Sequence, residues 1–175
     1  MTATESRPSV GRILRAIATL LEPSPEAVSR ARRTVHDALA AWGLDNNLTD
    51  DMVLVASELV TNALQHASGP IVMVLQQRDE TVLVEVADVS PALPVPCRES
   101  ADDESGRGLA LVEAFSDDWG YRRRGNSRGK WVWCSWSLSP TATRLTDELE
   151  RRLRLLGLVT QMWLAAPLCK PSPRP

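Results

Sequence analysis

The chain has 175 residues, 24% of them charged, with a net charge of −2. That length suits one domain with a single sizeable core, and the charge balance gives no support to direct nucleic-acid binding driven by overall charge. Three scattered cysteines, Cys97, Cys134 and Cys169, without C-x-x-C spacing and beside only two histidines, speak against a disulfide framework or a structural zinc site. The short apolar run near the N-terminus lacks a small-residue cleavage site. The apolar stretch "LLGLVTQMWLAAPLC" falls short of the ~18–20 residues that span a bilayer. A cytoplasmic protein with no membrane span is expected.

Residues 1–23 read as a loose or weakly helical N-terminal arm. Ser24-Pro25-Glu26 is a helix start: a Ser cap, Pro in the first turn, and an acid near the positive end of the dipole. Val28, Ala31, Val35, Leu39 and Trp42 follow at helical spacing, and Gly43 closes the run. A second helix is expected from about Leu48, led by Thr49-Asp50-Asp51 and stopping before Gly69-Pro70.

The period then changes to two. "IVMVLQQ" (71–77) and "TVLVEVAD" (81–88) read as strands joined by the polar turn Arg78-Asp79-Glu80. From Val89 to Gly106 the chain is rich in Pro, Ser and acids, a loop of roughly 18 residues, a length typical of functional lids or disordered segments. Helix returns at 108–117, and the strands "DWGYRRR" and "GKWVWCSWSL" flank a turn at "GNSRG". Four strands arranged as hairpins need one face covered. The expected fold is a two-layer α/β sandwich, a mixed, mostly antiparallel sheet with helices on one face. Residues 24–140 form that domain, and 141–175 a charged, amphipathic C-terminal helical extension with an apolar tail. The extension is free to pack on the domain, extend a dimer interface or dock on a partner.

The second helix raises the functional question. Met52, Ala56, Leu59, Val60, Ala63 and Ala67 define its buried side, while Glu58, Asn62, Gln65 and His66 gather on a stripe beside it. A solvated flank is the plain alternative, but Leu54 and Val55 begin the stripe and no Lys or Arg interrupts it. An acid and an amide one turn apart beside an apolar wall suit a metal–phosphate group. The Asn carbonyl is a hard ligand for Mg²⁺, which retains waters and takes phosphate oxygens, and the Glu can accept a proton. Downstream, Asp88 ends a strand where a carboxylate can face a cleft. Gly106, Arg107 and Gly108 immediately precede a helix. There, backbone N–H groups and the helix dipole favour an anion, and Arg107 can add a direct phosphate contact.

In this order, "SELVTNALQHA", "ADVSP", "GRGLALV" and "GKWVW" resemble the N-box, adenine segment, G-box and closing strand of the Bergerat-type GHKL ATPase fold. The resemblance is closest to the actinobacterial form of the bacterial anti-sigma-factor serine/threonine kinases, over about residues 24–138. It implies that Glu58 is the catalytic base, that Asn62 holds Mg²⁺ and that Asp88 binds the adenine amino group of ATP. It also implies cofactor contacts from Gly106, Arg107, Gly108 and Leu109. His66 either contacts phosphate or caps the helix, with capping slightly favoured.

The function implied is an ATP-binding kinase that sequesters a sigma factor and phosphorylates a serine on a STAS-type anti-anti-sigma partner, working as a homodimer. The alternative is a GHKL-fold binding module that regulates a partner by protein contacts alone. A stand-alone histidine-kinase catalytic domain fits less well, because no phosphoacceptor helix or sensor region is evident. Three features depart from the family pattern: Val89-Ser90-Pro91 replaces the glycines after Asp88, the acidic "ESADDES" lies near the expected triphosphate, and Trp131 stands where a small hydroxyl residue often supports the adenine-binding Asp.

Overall fold

The computed structural model describes residues 5–8, 11–94, 107–125 and 128–138; the expected C-terminal extension lies outside them. Five strands and three helices follow one another as β1 (Ile13–Leu21), α1 (Glu26–Trp42), α2 (Asn46–His66), β2 (Ile71–Arg78), β3 (Thr81–Asp88), α3 (Arg107–Phe115), β4 (Asp118–Arg123) and β5 (Lys130–Ser137). The strands lie in the order β1-β2-β3-β5-β4, and every strand pair is antiparallel. Among the described residues the single parallel element is an isolated bridge from Glu5 to Tyr121. This is the expected two-layer sandwich, with α2 packed between α1 and α3 over the middle of the sheet.

One expectation is corrected at the N-terminus. Residues 13–21 are not a weakly helical arm but a full edge strand, in register with β2 from Ala16 opposite Gln76 to Leu21 opposite Ile71. Ile, Leu, Ala and Arg in "ILRAIATLL" show no clean alternation, so pairing with β2 decides the conformation over local propensity. Further upstream, Ser6 donates its N–H to the Tyr121 carbonyl at 2.8 Å, and the Trp133 indole donates to the Ser6 carbonyl at 3.1 Å. The expected loose segment is therefore bonded to the sheet at both of its described pieces.

The helices follow their caps. Gly43 ends α1 with φ 71°, the left-handed turn that a glycine adopts without steric cost. α2 begins earlier than Thr49-Asp50-Asp51 suggests, because Asp45 accepts the N–H of Asn47 at 2.8 Å and caps the helix ahead of them. Its buried face holds Met52, Val55, Ala56, Leu59, Val60 and Ala63. Val55, read above as part of the polar stripe, is fully buried, and Ala67 lies past the helix end and is only half-buried.

Beneath the helices, Ile71, Met73, Leu75, Val82, Val84, Val86 and Val132 are buried. Alternation sends these residues to one face, each full burial contributing about 1.5–3 kcal/mol. Trp136 anchors α3 to that face, donating its indole N–H to the Phe115 carbonyl at 2.6 Å.

Candidate functional site

A cleft of about 610 Å³, open solvent at its mouth included, lies between α2, α3 and the β3–β5 pair. Its apolar walls come from Leu59 and Ala63 of α2, Val86 of β3, Leu109 of α3 and Val132 of β5. Helical spacing turns Leu59, Ala63 and Asn62 of α2 towards the same space. Strand alternation puts Val86 with Asp88, and Val132 with Lys130, on the helix-facing side of the sheet. A concave, mostly apolar site with a few convergent polar groups is the usual form of a small-molecule site.

At one end, α2 meets the start of α3. A β-carbon placed on Gly108 would lie 2.9 Å from Glu58 Oε2 and 3.3 Å from both amide atoms of Asn62. Without a side chain at Gly108, the α3 backbone comes this close while the acid and the amide keep these positions. The first turn of a helix carries backbone N–H groups without intrahelical partners and the positive end of the dipole, and α3 begins at this spot. Arg107 opens that helix, Leu109 is buried behind it, and Gly106 lies outside the described residues.

Neither the Glu58 nor the Asn62 side chain hydrogen-bonds another group among the described residues. Burial pushes the Glu58 carboxyl above its ordinary value, and the positive charge of Arg32 partly offsets this. Arg32 is held nearby on α1 by its Nε–H donated to Ser57 Oγ at 2.7 Å. A half-buried carboxyl with a raised pKa holds a proton more readily than an exposed one, which suits it to proton transfer.

His66, the last residue of α2, is exposed and lines the cleft. At the end of the helix the Ala67 backbone N–H is donated to the Ala63 carbonyl. No group of three His, Cys, Asp or Glu side chains suited to a metal is present among the described residues. The free Asn62 carbonyl oxygen beside Glu58 nonetheless fits Mg²⁺, which typically takes one or two protein ligands and completes its shell with water and phosphate oxygens.

The other end of the cleft departs from expectation. Asp88 is buried at the end of β3 and faces Lys130, its register partner on β5. Lys130 Nζ lies 3.0 Å from Oδ1 and 2.9 Å from Oδ2. Ser90 donates its N–H to Oδ1 at 2.8 Å, and the Ala92 N–H is donated to Ser90 Oγ at 3.2 Å. These side-chain turns shape the chain after Asp88, where the family pattern has glycines.

Trp131 does not stand beside Asp88. It pairs with Ala87, faces the opposite side of the sheet and carries the Arg122 guanidinium 4.7 Å above its ring. The residue that supports Asp88 is Lys130. Sequence reasoning missed it because the β3–β5 register, spanning 42 residues, is not legible in the order of the residues.

Helices on one face of an antiparallel sheet, with an acid–amide pair of α2 facing the start of α3 and a carboxylate at the end of β3, are the arrangement of an ATPase-type domain. Residues 21–136 match the model of the histidine kinase-like ATPase domain, and the chain belongs to that family. Among solved structures it is similar to the RsbU and RsbW domains of Rv1364c from Mycobacterium tuberculosis, at 23% identity and a TM-score of 0.55. The similarity covers 73% of this chain and 34% of that one, so the chain spans about a third of its neighbour and shares its fold. No curated protein matches the chain by sequence.

Proposed function

We propose that the protein is an ATP-dependent serine/threonine kinase of the anti-sigma-factor type, acting in the cytoplasm on a STAS-type anti-anti-sigma partner and sequestering a sigma factor. The observation that carries this reading is the convergence of Glu58 and Asn62 on Gly108 at the start of α3. It joins a proton acceptor, a metal ligand and an anion-favouring helix end next to an apolar cleft that Asn62 and Leu109 line.

In this reading the base of ATP lies towards Asp88 and the triphosphate runs to α3. Glu58 takes the proton of the partner serine as its oxygen attacks the γ-phosphorus, and the bond to the β,γ-bridging oxygen breaks to release ADP. Asn62 holds Mg²⁺, which when bound offsets charge on the phosphates. The half-buried Glu58, with its carboxyl held above its ordinary value, is suited to accept that proton. Arg107 and the backbone at Gly108 take the phosphates, and His66 lies at the mouth where a partner approaches. By the same family resemblance the chain works as a homodimer.

The test is transfer of label from γ-labelled ATP to a STAS-type partner. The reading predicts a labelled serine with wild type and at least a ~100-fold slower reaction with Glu58→Gln. Absence of transfer to any such partner would overturn the kinase reading. A second reading, a binding module that regulates by contact alone, is favoured by the Asp88 carboxylate, which already accepts from Lys130 and Ser90. It predicts that Glu58→Gln keeps the regulatory effect in full.

A further inference from the structure

The Asp88–Lys130 pair changes what the inner end of the cleft can read. A lone carboxylate at that place accepts the 6-amino group of adenine and repels a 6-oxo group, because two acceptor oxygens would face each other with no proton between them. Here the carboxylate is 3% exposed and the lysine side chain 8%, and both line the cleft. Lys130 bonds both carboxylate oxygens, and Ser90 takes a further position on Oδ1. The ammonium has three donors, and a carboxylate with its oxygens 3.0 and 2.9 Å away leaves at least one of them over. The remaining donor is a charge-assisted one beside an acceptor that has only one position left, on Oδ2.

Resting on the nucleotide reading above, we propose that Lys130 is the specificity-determining residue of the base site, and that it makes the cleft tolerant of 6-oxo purines. Lys130 donates to O6 of a hypoxanthine or guanine, while the N1–H of that base reaches Oδ2 of Asp88. With adenine the same two groups serve in the other sense: Lys130 donates to the ring N1 and Oδ2 accepts from the amino group. A paired donor and acceptor thus reads either purine edge, where a single carboxylate reads one.

Lys130 is locked in place by the backbone. Gly129, just before it, has φ 113°, and a β-carbon there would overlap the Asp88 carbonyl oxygen. β5 therefore starts pressed against the end of β3, with the ammonium directed across the pair rather than into solvent.

Calorimetric titration of the full chain with ATP and with ITP, both with Mg²⁺, tests the proposal. ITP differs from ATP only in the 6-oxo group and the N1 proton. Wild type is expected to bind the two within about threefold of each other, since each makes the same number of bonds to the pair. Lys130→Met, checked for folding by circular dichroism, removes one bond from each base but leaves O6 facing a lone carboxylate that the adenine amino group still satisfies, so it is expected to lose at least about tenfold more affinity for ITP than for ATP. Wild type binding ATP but binding ITP more than tenfold more weakly would overturn the proposal and leave the nucleotide site standing. That comparison needs no variant, so a misfolded Lys130→Met does not spare the proposal. Wild type binding neither triphosphate would overturn the nucleotide reading and this proposal with it.

Discussion

The Asp88 carboxylate and the Lys130 ammonium, register partners on β3 and β5, form a nearly buried ion pair at 2.9 Å that closes one end of the cleft. Removing one partner leaves the other charge buried without compensation. Asp88→Ala, which also strips the Ser90 N–H of its acceptor, is expected to destabilise the fold by about 3–5 kcal/mol in urea denaturation. The double variant Asp88→Ala/Lys130→Met is expected to recover much of that loss, because an apolar pair carries no desolvation penalty.

The burial of Glu58 carries a cost in stability. Burial holds its carboxyl above the ordinary 4.5, so the folded state disfavours the ionised form. Below 4.5 both folded and unfolded states are protonated and no penalty exists. The penalty grows as pH rises from there through the folded-state value. Glu58→Gln is therefore expected to raise Tm at pH 7 and leave it unchanged under acidic conditions. A Tm gain that persists below the ordinary carboxylate range would contradict this origin.

Arg32 tunes the same group from α1. Its charge lowers the Glu58 pKa against the larger effect of burial, and its Nε–H binds Ser57 Oγ. Arg32→Met is expected to raise the Glu58 pKa further. With Glu58 as the base proposed above, the acid limb of the phosphotransfer rate then moves to higher pH. An unmoved limb would mean that Arg32 serves only Ser57.

Two glycines separate site geometry from folding. At Gly108 a new methyl meets only the ends of the Glu58 and Asn62 side chains, which can swing away. Gly108→Ala is expected to keep stability within about 1 kcal/mol yet to cut activity at least tenfold, roughly, by misplacing base and amide. At Gly129 the methyl meets the Asp88 backbone at a φ of 113°. Gly129→Ala is expected to cost at least about 2 kcal/mol in chemical denaturation.

The elements with strong local signals are legible in the sequence. β3 falls on "TVLVEVAD" as period-two alternation indicates, and α1 ends at Gly43 because the chain needs a left-handed turn there. β1 is not legible: its exposed Ile13, Leu14 and Leu20 break the alternation, and only pairing with β2 makes it a strand. The Asp45 cap was present in "LDNN" but lies ahead of the acids that looked stronger. At the site, Glu58, Asn62 and Gly108 are readable as motifs, since each sits within one helix or at its start. Lys130 is not, because its meaning depends on facing Asp88 across two strands. A residue that acts by register carries no signature in its own neighbourhood.

The central claim is a nucleotide cleft whose phosphate end is held by Asn62 through Mg²⁺, and calorimetric ATP binding with and without Mg²⁺, on wild type and Asn62→Ala, tests it most directly. The account predicts Mg²⁺-dependent binding by wild type that weakens at least tenfold, roughly, in the variant, the loss of a ligand to a hard cation. No binding by wild type at millimolar ATP, or binding unchanged by Mg²⁺ and by Asn62→Ala, would contradict it.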